Sequence, residues 1–466
     1  MVKLKHNYII NMRKIVAFIF VFISLVLYIF APNSYSWTYC EICAVLYVVN
    51  AFYGLQPIIK HNPISFGIFI SITIFLCSFP FPLIIYPIDN SFSLFSFGYN
   101  PNVMTKCTAL VCVAHSAYWF GVEMAKEKYI RKLFVSNITV DDFLIKKFIR
   151  YVIILFALFI GLGGLKYFTD RYIDGNMSSN VTFTYINLIF TTISILLACM
   201  CLFANNKKVL HLATIVLFMV CITILFTGSR TLPMFLMLPL AYVYQKKYNI
   251  SMTKMGICLL VILVFFIIVG QIRHSVISID AFSSYENKDS EFGVWGNFTD
   301  FIVCNRNLYD IYDIVDREGY LYGKNFLSSF LSTVPFLQGI VSKTLDIPSY
   351  QMDSAYFCTY KKFGNDAPLG LGTHVVGDVY LSMGIVGVVA LFYFLGNFIT
   401  KIENGARIYK NQFLYIVYLN ILSYSVFFCR GSFWGPIRGI IWSAVILYFV
   451  NKFRRCNGTY TKQSLN

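Results

Sequence analysis

The sequence predicts an all-α, polytopic membrane protein of about 12 transmembrane helices with one large loop on the outer side. Three observations carry that prediction. The 466 residues are 58% hydrophobic, with a mean hydropathy of +0.66. Charged residues make up 13%, against about 25% in soluble domains, which excludes an ordinary soluble enzyme. Apolar runs long enough to span a bilayer, about 17–25 residues each, recur along the chain. They centre on Phe22, Ala44, Ile72, Val111, Leu155, Ile189, Leu217, Leu238, Val264, Val388, Val417 and Ala444. The 46 Phe and 33 Tyr suit a lipid-facing bundle with tyrosines at its interfaces.

The first run follows Lys3, Lys5, Arg13 and Lys14 and has no small-residue cleavage site. It therefore reads as a retained span, not a removed signal peptide. The net charge of +16 reads as the basic bias of cytoplasmic loops, and no basic-aromatic pattern of a nucleic-acid-binding domain accompanies it. Lys126 to Lys132, Lys146 to Arg150, Lys207-Lys208, Lys246-Lys247, Lys401 to Lys410 and the tail at Lys452 to Arg455 fall on one side. That side is the cytoplasm, with both termini in it. The organisation follows: residues 1–271 hold spans one to nine, 272–373 the large periplasmic loop, and 374–466 spans ten to twelve with a cytoplasmic tail.

A loop of roughly 100 residues is too long for a connector and marks a functional element. Within it, Asn307 to Val315 has the apolar spacing of an amphipathic helix, and Phe326 to Val334 is expected at the membrane surface. Asp310, Asp313 and Asp316 space carboxylates along one helical face, which reads as a solvated face. No internal repeat is present.

Several chemistries leave no trace. There is no G-x-x-x-x-G-K-[ST] for nucleotide phosphates, no H-E-x-x-H and no Cys/His ligand set, so neither a metal nor a cofactor is expected. The 13 cysteines lie mostly in apolar runs, where they act as small hydrophobes. Cys40-x-x-Cys43 lacks a second pair. Cys304 and Cys358 fall in the long loop, where a disulfide between them is open.

The polar residues at span ends are more informative. Arg230, in Gly228-Ser229-Arg230-Thr231, lies between two apolar runs, and an arginine forced to the bilayer centre costs about 2.5–3.5 kcal/mol. Arg273, followed by His274, ends the ninth span; Arg430 ends the eleventh; Arg438 opens the twelfth. Arginine offers a planar fork of donors that suits phosphate oxygens. Several of them at one face make a pyrophosphate cradle, although a span-end arginine also snorkels to lipid phosphates. Near them on the expected outer face, at the mouth of the tenth span, Gly370-Leu371-Gly372-Thr373-His374 leads into Asp378-Val379-Tyr380. A carboxylate about one turn inside a span is expensive without a role or partner. His374 and Asp378 are four residues apart, one helical face, and could serve as base and orienter.

At these residues the chain resembles the Wzy-type O-antigen polymerases of Gram-negative bacteria. The resemblance rests on Thr227-Gly228-Ser229-Arg230-Thr231, on Tyr320 to Pro335 (YLYGKNFLSSFLSTVP) and on Gly370 to Gly387 (GLGTHVVGDVYLSMGIVG). Where relatives often carry Glu before x-Tyr this chain has Asp378, and where they often carry Asn-Phe-Gly it has Ser382-Met383-Gly384.

The resemblance implies a helical fold of the lipid-linked glycosyltransferase (GT-C-like) type. It also implies transfer of a growing glycan from undecaprenyl pyrophosphate to a new lipid-linked repeat unit at the periplasmic face of the inner membrane. Carried over, Arg230 and Arg273 would hold pyrophosphate and Asp378 or His374 would be the catalytic base or its orienter; the span-end arginines Arg430 and Arg438 are expected to complete the pyrophosphate cradle, with Ser229 and Tyr380 in support. The implied partners are the undecaprenyl-pyrophosphate-linked oligosaccharide, membrane lipids and a chain-length regulator protein, with no nucleic acid. An O-antigen ligase, which has a histidine before a late span, and a non-enzymatic polysaccharide flippase are the alternatives.

Overall fold

The computed structural model describes residues 2–59, 62–90, 98–126, 139–165, 181–227, 229–251, 254, 299–365, 367 and 370–463. Every regular element among the described residues is helical. Each predicted span centre falls inside a helix except Val264, which lies outside the described residues. Of these helices, 6 are long and apolar enough to cross a membrane by length and composition.

The chain divides into two compact units. The first comprises Met1–Tyr129, Ser278–Lys401 and Ser425–Gly435; the second comprises Ile130–Ile277, Ile402–Tyr424 and Pro436–Asn466.

In the first unit, α1 (Val2–Ile29), α2 (Trp37–Ile59), α3 (Phe66–Ser78) and α4 (Met104–Ala125) form a bundle in which α1 and α2 both pack on α4. The apolar path of α3 continues to Ile88 through a wider π-type turn over Phe81–Ile85. Its cause is local. Pro80 and Pro82 lack amide hydrogens and cannot continue the ordinary ladder.

In the second unit, α5 (Asp142–Gly161), α6 (Val181–Met200), α7 (Lys207–Phe226) and α8 (Thr231–Tyr248) pack together, with α6 central. Asp141 and Asn206 cap α5 and α7 by accepting from Leu144 N and Lys208 N, which fits their preference for helix starts.

The long loop is structured where it is described. Its main helix, α9 (Cys304–Glu318), is longer than the predicted Asn307–Val315 and buries Leu308, Ile311, Ile314 and Val315 along one side. Shorter helices follow, among them α10 (Leu337–Thr344) and α11 (Ser354–Phe363). Then comes α12 (Val375–Tyr409), the tenth predicted span. In the second unit α13 (Gln412–Ser423) and α14 (Ile437–Gln463) complete the chain.

Two glycines let α12 touch α4. A Cβ on Gly121 would lie 2.1 Å from the Tyr393 carbonyl oxygen, and one on Gly396 2.1 Å from that of Tyr118. Only glycine allows backbones this close, the usual device at helix crossings in membranes.

Within α12 the helix is interrupted at Gly384, whose φ of 60° and ψ of −154° are not helical. A left-handed φ of this kind favours glycine. The break has a structural reader. The Leu321 amide of the loop donates to the Leu381 carbonyl at 2.8 Å, one turn before the interruption.

Candidate functional site

The residues singled out at the start of α12 are buried, and each is tied to another part of the first unit. Asp378 is fully buried in the first turn of α12, where a negative charge meets the positive end of the helix dipole. Asn325 donates from Nδ2 to Asp378 Oδ1 at 2.8 Å and to the Asp378 carbonyl at 2.9 Å. The Phe433 amide donates to Oδ2 at 2.7 Å. Each carboxylate oxygen thus has a donor, the condition for keeping such a group buried.

The donors come from the loop segment after Gly323 and from the chain after α13. Asp353, which caps α11 by accepting from the amides of Ala355 (2.9 Å) and Tyr356 (3.0 Å), also accepts from Ser432 Oγ at 3.4 Å. The two motif stretches of the sequence, Tyr320 to Pro335 and Gly370 to Gly387, are thus in direct contact. Asn325 reaches Asp378, Leu321 reaches Leu381, and the Tyr320 hydroxyl sits 2.7 Å from where a Cβ on Gly384 would stand.

His374 is also fully buried but has different partners. Its Nδ1 accepts from the Val376 amide at 3.2 Å, and its Nε2 is 3.1 Å from Ser78 Oγ. An accepting Nδ1 places the ring hydrogen on Nε2, which then donates to Ser78. His374 and Asp378 therefore share a helical face without bonding to each other, and are linked only by the backbone bond from Asp378 N to the His374 carbonyl at 2.7 Å.

Ser78 explains why α9 docks here. Its carbonyl would bond the amide of residue 82, but Pro82 has none. Asn305 Nδ2 donates to that carbonyl instead, at 2.8 Å. Asn307 Nδ2 donates to the Leu371 carbonyl at 2.8 Å. Arg306 between them is fully buried. Its Nη2 donates to Asn307 Oδ1 at 2.8 Å, and its Nε lies 3.6 Å from Asp310 Oδ2. Burial pushes the guanidinium below its ordinary pKa while Asp310 pulls it back. Burial likewise raises Asp310, against the pull of Arg306.

Tyr380 carries the next layer. Its ring stacks on Tyr312 (5.0 Å between centroids, 9° between planes), and the Tyr28 hydroxyl is 3.2 Å from the hydroxyls of both. The carboxylates read as a solvated face are mostly engaged. Asp310 faces Arg306, and Asp313 takes Asn100 Nδ2 at 2.7 Å and Arg317 Nη2 at 2.9 Å.

The arginines divide. Arg430 belongs to the first unit, close in sequence to Phe433, with its guanidinium 5.9 Å over the Phe301 ring. Ser229, Arg230 and Arg438 belong to the second unit. Arg230 immediately precedes α8, and Arg438 lies in the first turn of α14, one residue before Gly439, where a Cβ would meet the Tyr424 hydroxyl at 2.3 Å. Arg273 and His274 lie outside the described residues.

The cysteines add no bridge: Cys40, Cys43, Cys304 and Cys358 are buried free thiols. Among the described residues no group of three or more His, Cys, Asp or Glu is placed to hold a metal ion.

Sequence reasoning missed Asn325 and Arg306. Asn325 had a signal, since it lies inside the Tyr320 to Pro335 motif. Arg306 had none that separates it from a solvated loop arginine.

The fold and the site define a multi-pass helical membrane protein whose buried carboxylate is held by Asn325 of a distant segment. The family model for O-antigen polysaccharide polymerase Wzy matches residues 10–455, nearly the whole chain, and the protein belongs to that family. No curated protein and no solved structure matches it. The protein is accordingly an O-antigen polymerase of lipopolysaccharide biosynthesis.

Proposed function

We propose that the chain transfers the growing glycan from undecaprenyl pyrophosphate onto a new lipid-linked repeat unit at the periplasmic face of the inner membrane, without a metal. What supports this reading most is one observation: the loop's Asn325 and the first turn of α12 meet at Asp378, joining the two longer stretches that carry the family resemblance.

In the proposed step a hydroxyl of the acceptor sugar attacks the anomeric carbon of the growing chain. The new carbon–oxygen bond forms as the bond to pyrophosphate breaks. The hydroxyl proton passes to Asp378, and the pyrophosphate leaves with both electrons of the broken bond. Asp378 has the acceptor atoms for this once Asn325 gives way to the sugar hydroxyl; catalytic contacts often tighten or exchange on substrate binding. Both His374 nitrogens already have partners, so His374 positions the start of α12 in this reading. Arg230, Arg273, Arg430 and Arg438 stabilise the departing pyrophosphate, and Ser229 and Tyr380 support the two groups.

The same reading assigns twelve spans of the lipid-linked glycosyltransferase type. Residues 1–271 hold the first nine, 272–373 form the periplasmic loop, 374–466 hold the last three, and both termini are cytoplasmic. The exposed apolar side chains Phe330, Val334, Phe336, Ile340 and Leu345 rest on the outer leaflet. A chain-length regulator protein is a further partner.

Extension of purified lipid-linked repeat units by the purified protein, with EDTA and no nucleotide sugar, tests the reaction. Chains should lengthen; a need for added divalent metal would overturn the mechanism. In a deletion strain, single capped units on lipid A indicate a polymerase, whereas loss of all surface glycan indicates the ligase. Arg230→Lys should fail to restore a ladder although the protein is inserted, because lysine keeps charge but loses the two-pronged contact. Reporter fusions at Lys247 and Lys410 should report cytoplasm, and one near Ser349 periplasm.

A further inference from the structure

We propose that Tyr320 and Tyr322 form a sugar-binding platform beside Asp378, a subsite for a pyranose ring of the repeat unit. The proposal deepens the polymerase reading and rests on it for the identity of the ligand. Its evidence is a conformational oddity with a neighbourhood that explains it.

Tyr322 has a φ of +49°, in the left-handed region that suits Gly or Asn and costs other side chains. It is also 81% exposed. The chain therefore accepts backbone strain and leaves a large ring in the open at the same position. Gly323 follows with φ +87°, so a glycine at 322 would turn the chain more cheaply. The ring's recorded aromatic neighbour is Tyr320, met edge-on at 6.2 Å and 79°. Strain of this kind persists where the surroundings hold it and a function uses it.

The surroundings do hold it. Tyr320 is 37% exposed, meets Tyr380 edge-on at 5.9 Å and 80°, and presses its hydroxyl against Gly384. The Leu321 amide is bonded into the break of α12. Five tyrosines thus run from the half-buried Tyr28 and the buried Tyr312 and Tyr380 out to Tyr320 and Tyr322. A platform on such a base is pre-organised and loses little entropy on binding. Asn325, three residues after Tyr322, holds Asp378, so the same short segment carries both the exposed ring and a ligand of the proposed base.

The chemistry matches a carbohydrate. A pyranose offers an apolar C–H face and a rim of hydroxyls. A tyrosine offers an apolar ring face and a hydroxyl that both donates and accepts. Phe336 makes the useful contrast. It also combines positive φ with exposure, but its exposed neighbours are Val334, Ile340 and Leu345, a set suited to lipid.

The test uses the full-length protein in nanodiscs and, as probe, the free oligosaccharide released by mild acid from lipid-linked repeat units. Binding is titrated by saturation-transfer NMR. Tyr322→Ala and Tyr322→Gly should weaken binding at least about tenfold, the scale of an aromatic hot spot, while Tyr322→Phe stays within about threefold because the ring face is kept. Tyr322→Gly should keep or raise the thermal midpoint, since it relieves the strain, which separates lost binding from lost folding. In chain extension the same variants should raise KM for the acceptor and leave kcat nearly unchanged.

Parental binding by Tyr322→Gly would overturn the platform, as would an active parent that binds no free oligosaccharide at millimolar concentration. Unchanged oligosaccharide binding with weaker retention in the bilayer would identify a headgroup anchor instead. Tyr322-dependent binding in a protein that extends no chain would uphold the platform and sink the polymerase reading, so the two fail separately.

Discussion

Among the described residues of the first unit two histidines are fully buried, and their surroundings differ in kind. His115 lies in α4 among the first helices. Its ring stacks on Tyr47 at 3.9 Å, Nε2 takes the Trp119 indole hydrogen at 3.0 Å and is 3.0 Å from Ser71 Oγ, and Nδ1 is 3.3 Å from Asn50 Nδ2. Asn50 donates to Ser116 at 3.1 Å, and Ser116 meets Ser24 at 2.8 Å. One network thereby ties α1, α2, α3 and α4 together. His374 also bonds a serine of α3, Ser78, two turns beyond Ser71 on the same face. Beside it, however, lies a carboxylate held by Asn325 and the Phe433 amide, a broken helix and a ladder of tyrosines that ends in an exposed, strained ring. Burial with satisfied hydrogen bonds is common to both regions, so it marks neither as a site. The second region differs in the origin of its partners, which sit between the long helices and not within them, in the break at Gly384 and in the strain at Tyr322.

The largest effect that could break this comparison is at Asp378. In Asp378→Asn an amide group replaces one oxygen that now accepts from Phe433 or Asn325. Chain extension by purified protein should fall by about 10²–10⁴-fold, the range for a positioned base. Near-parental extension would remove the carboxylate from the mechanism. His374→Ala should lower extension by about 10²-fold, because the start of α12 loses its tie to α3. Complete loss there, with Asp378→Asn still active, would move the chain towards the ligase.

Gly384→Ala is a smaller perturbation of the same region. The new methyl would stand 2.7 Å from the Tyr320 hydroxyl at a φ of +60°, costing about 1–3 kcal/mol of local strain. Extension should drop roughly tenfold as the Tyr320 segment is displaced, at about one kcal/mol or more of misplacement, while insertion is unaffected. The smallest effect on activity belongs to the control region. His115→Leu leaves Trp119, Ser71 and Asn50 without their ring partner and should lower stability by about 1–3 kcal/mol, read as a lower thermal midpoint in detergent. Extension per folded molecule should change by less than about twofold. Loss of extension in this variant beyond its loss of folded protein would mean that the two histidine regions are coupled.

Much of the architecture was legible because its causes are local. Hydropathy over a span-length window located the helices around the predicted centres from Phe22 to Ala444, Val264 apart, which lies outside the described residues. The apolar spacing from Asn307 found α9, shorter than it is, because its ends at Cys304 and Glu318 are set by docking and not by periodicity. Asp378 and Tyr380 stood out because a carboxylate inside a span demands a reason. Their partners did not stand out. The helical spacing of His374 and Asp378 suggested a pair, yet each side chain turned to a different segment. Arg306 looked like any loop arginine until α9 was laid over the proline-freed carbonyl of Ser78.

By itself, then, the sequence determined an all-helical membrane protein with a long structured loop and a carboxylate at the mouth of a late span. Bilayer insertion and helix formation depend on composition within a single segment. Tertiary structure decided that Asn325 and the Phe433 amide hold that carboxylate, that Leu321 occupies the break at Gly384, and that Tyr322 is presented in the open. Those outcomes depend on unsatisfied backbone groups created at one place in the chain and answered at another. Nothing in the local pattern of either segment records which distant donor will arrive.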